Sequence, residues 1–512
     1  MPFPGLETRF LRVRTVYRRE DVSLNTVKKA VVGGFAWQVA SLVAQRGVVF
    51  LAYVVFGRTL SREEIGIVGV AVAITVFVDM LRAGGVLQAL IQFPDEEKLP
   101  DAVSATFWMT LLSGAGWMAA LVIVGLLLPG ITGSQLIGPI MMVLAVTALI
   151  DNLRLVPMAV LSRQLKFKQR AIADSAGSIV GAALGVGALF VLPADQKIWA
   201  IVVMFVARSL VTTIAHFLYS PTVPTRKFNR PVAKSLALVG WENLSSNLAS
   251  GSLENLTLLM VKARTTFDVA GVFDMATRAM SPPTSIAHAA NNTLFPVLAQ
   301  SANDPAKSRE RVLRSLKNIA IVAGGILGWL AAISPAALPL VFGGKWFPAV
   351  IPAQFIALGI LFRTYAYTCT NALLAVRKPK PAAQTWWITL AVAAALMLLW
   401  PMSGHEAIIP SVIFAAFNLA ACLLALKGSA SGFDIPLSTS IASVGVVTLT
   451  SMAAFSAGLL PYLLPTLSPL LQVVGSSLLF GLVFLAACGK INNGSWTSLM
   501  SVSGLRALMR SA

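Results

Sequence analysis

From about residue 30 onward the sequence is a succession of long apolar runs divided by short polar connections. A helix rises about 1.5 Å per residue, so about 20 mostly apolar residues cross the hydrocarbon core of a bilayer. The runs fall at about 30–56, 65–92, 102–128, 136–160, 172–192, 198–218, 235–261, 267–298, 316–342, 349–376, 384–401, 406–426, 437–458 and 466–487. Of the 512 residues, 56% are hydrophobic and only 12% are charged, against roughly 25% charged in an ordinary soluble domain. Fourteen spans of about 20 residues need about 280 apolar positions, close to the roughly 287 available. This excludes a secreted globular enzyme, a disordered chain and a DNA-binding domain. The pattern predicts an all-α polytopic membrane protein with about 14 transmembrane helices.

The chain has 40 Lys and Arg against 21 Asp and Glu, a net charge of +19. The basic residues sit mainly between the runs, so they imply an orientation and contact with anionic membrane lipids rather than a nucleic acid partner. Residues 1–29 hold Arg9, Arg12, Arg14, Arg18, Arg19, Lys28 and Lys29 and lead directly into a full-length run, unlike a secretory signal. With the N-terminus in the cytoplasm, 28 Lys and Arg fall on that side and 6 on the other, counting Lys317 with the connection before the ninth run. This asymmetry predicts cytoplasmic termini and cytoplasmic connections at 161–171, 219–234 and 299–315.

Six arginines lie inside the runs: Arg46, Arg82, Arg154, Arg208, Arg278 and Arg363. The embedded acids are Asp79, Asp151, Glu242, Glu254 and Asp274, with Asp174 near an entrance. A charge at mid-membrane costs at least about 2.5–3.5 kcal/mol, so such groups are kept when paired or facing water. Asp79 and Arg82, Asp151 and Arg154, and Asp274 and Arg278 are three or four residues apart, a spacing that also suits a local ion pair. Arg46 and Arg363 have no acid within one turn. Guanidinium matches phosphate geometry and keeps its charge. Arg46, Arg82, Arg278 and Arg363 are therefore the expected substrate-binding residues. Asp79, Glu254 and Asp274 are the candidates for ion coupling. Pro282 and Pro283 interrupt one run and are the expected hinge. His288 reads as a packing histidine, and His216, at a run end, says little.

No motif for catalysis is present. The sequence lacks GxxxxGK[ST], HExxH and CxxC, and its three cysteines, Cys369, Cys422 and Cys488, are widely spaced in or beside apolar stretches. No catalytic residue, metal or cofactor is expected.

Several strings, in order, carry a family resemblance: ALIQF at 89–93, ATFWMTLL at 105–112, PMAVLSRQLKFKQRA at 157–171, GVFDMATRAMSPP at 271–283, TLFPVLAQ at 293–300 and FGGKWFPA at 342–349. Together they resemble the polysaccharide-transport family of oligosaccharide flippases, in the superfamily that also holds multidrug extruders and lipid II flippases. Phe273 stands where the family usually has Tyr, and ENLTLLMVKA at 254–263 matches loosely. The resemblance implies two pseudo-symmetric six-helix bundles, 30–218 and 235–426, around a central cavity. A cytoplasmic linker at 219–234 would join them, with two further helices at 437–487 and cytoplasmic tails at 1–29 and 488–512. It implies a bacterial inner-membrane flippase for a polyprenyl-pyrophosphate-linked oligosaccharide, working by alternating access in surface or exopolysaccharide synthesis beside a polymerase and co-polymerase. The alternative is an extruder of small organic cations, which would favour acidic rather than arginine-lined cavities.

Overall fold

A computed structural model describes residues 24–83, 89–91, 93, 95, 97–220, 228–234, 236–237, 255–282, 304–376, 378–399, 407–464 and 466–491. The N-terminal tail to residue 23, Glu242, Glu254, Pro283, His288 and the tail from 492 lie outside them. The regular structure of the described residues is helical throughout. The helices are α1 (Leu24–Thr59), α2 (Arg62–Ala83), α3 (Leu99–Thr132), α4 (Ile137–Leu153), α5 (Leu155–Arg163), α6 (Phe167–Val191) and α7 (Trp199–Tyr219). They continue as α8 (Phe267–Met280), α9 (Pro305–Phe342), α10 (Val350–Ala375), α11 (Pro379–Leu399), α12 (Ile408–Gly432), α13 (Leu437–Gly458) and α14 (Pro469–Ile491).

Eleven described segments are long and apolar enough to cross a membrane, and each overlaps a run expected from the sequence. α2, with Glu63, Glu64, Asp79 and Arg82, covers most of the second expected run, and α8 covers the start of the eighth. The protein is thus a multi-pass helical membrane protein. Two local departures have plain causes. The fourth run breaks at Arg154, because Pro157 has no N–H to bond the carbonyl four residues back. The connection expected at 299–315 is already helical from Pro305, where Asp304 accepts the Lys307 backbone N–H at 3.1 Å as an N-cap. The Lys307 side chain beside it holds the Asp304 carboxyl below the ordinary aspartate range.

The described chain forms two compact units: Met1–Ala52 with Ala71–Ser252, and Tyr53–Val70 with Leu253–Ala512. The boundaries fall inside α1 and α2. In the first unit, α6 and α7 meet along Gly177, Gly181 and Gly185, four residues apart on one face. A Cβ on Gly181 would lie 2.7 Å from the Met204 carbonyl oxygen and 2.8 Å from the Arg208 Cβ. In lipid, helices associate through such close backbone packing rather than through the hydrophobic effect. Elsewhere in this unit, Arg163 donates to the carbonyls of Leu90, Ile91 and Phe93, at 2.7 Å for the last. It thereby joins two of the strings that carry the family resemblance.

In the second unit, Gly66 of α2 and Gly271 of α8 let the two backbones touch. Hydroxyls within the helices are satisfied locally: Thr364, Thr368 and Thr389 each donate to the carbonyl four residues back. Tyr365 reaches across to Thr448 of α13 at 3.2 Å. α14 packs on α9 through Phe480 and Phe484, stacked 5.5 Å apart, with Trp329 Nε1 donating to Ser477 Oγ.

The FGGKWFPA string closes a latch in this unit. Gly343, at φ +104°, turns the chain out of α9 where a side chain would be strained. The fully buried Trp346 then donates from Nε1 to the Gly57 carbonyl at 2.8 Å. Lys345 Nζ donates to the carbonyls of Arg58 and Leu60. In return the Arg58 guanidinium donates to the carbonyls of Leu340 and Val341, the last turn of α9. Two helix ends thus satisfy each other's orphan carbonyls. Trp346→Phe keeps the ring but strands the Gly57 carbonyl, at about 1–3 kcal/mol. Trp346→Ala adds a cavity, for about 3–5 kcal/mol. Thermal unfolding of the detergent-solubilised protein should rank wild type above Phe above Ala, and one common midpoint would remove the latch from the forces holding this unit.

Candidate functional site

The second unit collects three of the expected site residues around an aromatic cluster. Asp274 and Arg278 stand one turn apart on α8, whose N-terminus is fixed by Thr266 accepting the Val269 N–H. Arg278 Nε donates to Asp274 Oδ2 at 2.6 Å, a charge-assisted bond. The Arg278 guanidinium also lies 4.0 Å from the ring centroid of Tyr53, which is 2% exposed. That is a cation–π contact in a desolvated setting. Gly69 makes room for the carboxylate, since a Cβ there would stand 2.9 Å from Asp274 Oδ2. Asp274 itself is buried.

Arg363, on α10, is buried as well, with its guanidinium 5.9 Å from the centroid of Phe414. Phe414 packs edge-on against Phe273 of α8 and against Phe417. Arg278 and Arg363 therefore belong to one neighbourhood of α8, α10 and α12. Arg278 has its charge partly met by Asp274, as the four-residue spacing allowed. Tyr53 carries no sequence signal for this role. Only its distance in space from Arg278 reveals it.

The other expected residues are placed differently. Arg46 is exposed on α1 in the first unit. Asp79 is partly buried in α2. Arg82 falls in the last turn of α2, with its side chain outside the described residues. Pro282 follows the end of α8 at Met280, whereas Pro283 and Glu254 are not described. Among the described residues no group of His, Cys, Asp and Glu suits a metal ion.

A second charged cluster, in the first unit, was not assembled from the sequence. Arg154 Nε lies 3.0 Å from Asp151 Oδ1. Asp174 is shared: its Oδ1 stands 3.8 Å from Arg154 and 3.7 Å from His216 Nε2, and its Oδ2 3.9 Å from Arg170 Nε. Arg170 also donates to Ser162 Oγ at 3.0 Å. The Asp151 to Arg154 spacing was legible. Asp174 and Arg170 reach it from α6, and His216 joins from α7, whose approach the glycines of α6 allow.

The sequence has relatives among proteins of polysaccharide biosynthesis and transport. The succinoglycan biosynthesis transport protein ExoT of Rhizobium meliloti (strain 1021) is 23% identical over 331 residues, 62% of this chain and 64% of ExoT. The chain therefore spans just under two thirds of that relative. The lipopolysaccharide biosynthesis protein WzxC of Escherichia coli (strain K12) is 20% identical over 361 residues, 68% of this chain and 71% of WzxC. Among solved structures, the lipid II flippase MurJ in an inward closed conformation matches with a TM-score of 0.71 at 14% identity, over 88% of this chain and 97% of MurJ. An inward-facing multidrug resistance transporter of the MATE family matches at 0.61 and 13% identity, over 76% of this chain and 94% of that one. At such identities the likeness is one of fold. The profile of the polysaccharide biosynthesis protein family matches residues 55–351, more than half of the chain, and the protein belongs to that family.

Proposed function

We propose that the protein moves polyprenyl-pyrophosphate-linked oligosaccharide repeats across the bacterial inner membrane by alternating access, without catalysing a reaction, to supply surface or exopolysaccharide synthesis. The observation that carries this reading is the pair of guanidinium groups set against aromatic rings in the second unit, Arg278 and Arg363. They occur in a chain of the polysaccharide biosynthesis family. A pyrophosphate brings negative charge into a low-dielectric layer, and guanidinium groups offset that penalty by charge-assisted hydrogen bonds. In this reading Arg278 and Arg363 of the second unit are expected to meet the headgroup's charge, and Arg46 and Arg82, the latter beside Asp79, are the candidates of the first unit.

Asp274 has a second role in the same reading. Its carboxylate holds Arg278 and competes with the incoming anion, so binding stays weak enough for release on the far side. Asp79 and Glu254 remain the acids through which an ion gradient would be coupled. Pro282 and Pro283 would form the hinge on which α8 and the segment after it bend. A polymerase and co-polymerase would take up the exported repeat. The extruder of organic cations is less well supported, because the buried acid Asp274 is already engaged by Arg278.

The charge recognition is tested by substitution in cells that depend on this chain for polymer export. Arg278→Ala and Arg363→Ala each remove interactions worth about 1.5–3 kcal/mol, a roughly ten- to hundredfold loss. Arg46→Ala should be as severe, and Arg46→Lys milder, since lysine keeps charge but loses the fork. The readout is accumulation of lipid-linked repeats on the cytoplasmic leaflet at matched protein levels. Normal export in all three alanine variants would make these arginines structural.

The orientation is tested separately. With both termini and the 161–171, 219–234 and 299–315 connections in the cytoplasm, single cysteines placed there should resist an impermeant thiol reagent added to intact cells. Ready labelling at 299–315 would reverse the orientation.

A further inference from the structure

We propose that the elbow between α5 and α6 of the first unit, with Lys166, Lys168 and Trp37, binds the headgroup of an anionic phospholipid. Three residues separate α5, ending at Arg163, from α6, beginning at Phe167. The Lys166 N–H donates to the Leu161 carbonyl at 2.9 Å, and the Leu165 N–H to the Ser162 carbonyl at 3.1 Å. This paired closure ends many helices, and its left-handed residue is usually glycine. Here it is Leu165, at φ +56°. A bulky residue keeps that conformation only where its surroundings determine it.

The surroundings hold the elbow from both sides. Arg163 is engaged by the carbonyls of Leu90, Ile91 and Phe93. Arg170 reaches back over the turn to Ser162 Oγ at 3.0 Å and stands 3.9 Å from Asp174 Oδ2. The other two basic side chains of this stretch, Lys166 and Lys168, are exposed, and neither has an acidic partner among the described residues. The Lys168 Nζ lies 5.1 Å from the ring centroid of Trp37 on α1, a cation–π contact. α1 and α6 are neighbours here. Ser41, one turn after Trp37, donates to the Ala171 carbonyl at 2.9 Å and bonds Ser175 Oγ at 2.8 Å. Trp37 and Lys168 therefore belong to one surface built by two adjoining helices.

The depth of that surface selects the ligand. The apolar span of α1 starts at Ala40 and that of α6 at Phe167. Trp37 and Lys168 thus stand at the same end of two spans, where hydrocarbon gives way to headgroups. Tryptophan favours this level, with an apolar ring for one medium and an N–H for the other. Trp37 is 46% exposed. Further along the same helices, Val43 of α1 and Ile179 of α6 are exposed apolar side chains, the kind of surface that acyl chains cover. Every phospholipid places a phosphate at this level, and two ammonium groups without an acidic partner favour lipids with a net negative charge. Lysine suits the position, since its stem lies on apolar surface while its head stays in the polar layer. A nucleic acid or an acidic protein would meet the lysines but has no match for Trp37 and the apolar side chains beyond it.

The site stands apart from the transported substrate, so its test reads lipid binding by the full-length protein without transport. In phosphatidylcholine nanodiscs, a growing share of the lipid is replaced by brominated phosphatidylglycerol or, in parallel, by brominated phosphatidylcholine. Bromine on an acyl chain quenches a tryptophan in contact with it. Subtracting the signal of Trp37→Phe isolates Trp37 among the 11 tryptophans. Each lysine near the membrane surface favours an anionic lipid about fivefold. Trp37 should therefore be half-quenched at a share of phosphatidylglycerol roughly tenfold or more below that of phosphatidylcholine.

Lys166→Gln and Lys168→Gln should each lower this preference about fivefold, and the double variant should abolish it. Both positions are exposed, so the substitutions leave the fold intact. Lys427→Gln, an exposed charge on α12, should leave the preference unchanged. Millimolar inorganic phosphate should not reverse the quenching. Reversal would make this a site for a free anion and overturn the lipid assignment. Equal quenching by the two lipids, a preference kept in the double variant, or an equal fall in Lys427→Gln would overturn it as well.

Discussion

A helix that ends inside or at the edge of a bilayer leaves carbonyl groups that water does not reach to satisfy. The second unit meets this constraint at α1 and α9 by making each helix end cap the other. Trp346 and Lys345 reach the last carbonyls of α1, and Arg58 reaches those of α9. The conformation of Gly343 sets the turn that brings Trp346 into place. Much of this unit hangs on the latch. It anchors the Tyr53–Val70 hairpin, which in turn supplies Tyr53 to Arg278, Gly69 to Asp274 and Arg62 to Asp268. Trp346 is thus tied, through a short stretch of backbone, to the geometry of the charged site.

Much of the fold was legible because the bilayer simplifies the code. Length and apolarity suffice to find a helix that must satisfy its own backbone, so the eleven long spans match apolar runs in the sequence. The helix ends were less legible. α9 begins at Pro305 rather than near 316 because a charged, amphipathic first stretch continues the helix beyond its apolar part. The break at Arg154 follows from Pro157, a residue that reads as an ordinary member of an apolar run.

The charged residues divide in the same way. Asp274 with Arg278 and Asp151 with Arg154 could be read from spacing on one helix. The partners that come from other helices could not. Tyr53 over Arg278, and Asp174 between Arg154 and His216, come together only in the fold, whereas Arg170 stands one turn from Asp174 on α6. The glycines at 177, 181 and 185 are the sequence signal that would have directed attention there.

The two units handle embedded charge by different means. In the second, Arg278 is matched to an acid and an aromatic face, and Arg363 is buried against Phe414. In the first, Arg154 is matched to Asp151, and Asp174 stands among Arg154, Arg170 and His216. The proposed function needs a ligand's negative charge to be held for part of a cycle and then released. The direct measurement is reconstitution of the purified chain into liposomes carrying a fluorescent polyprenyl-linked oligosaccharide, with dithionite quenching to count molecules that change leaflet. A pyrophosphate-linked lipid should change leaflet while the same oligosaccharide on a phosphate-free polyprenol stays, and transfer of both at one rate would contradict a role for charge recognition.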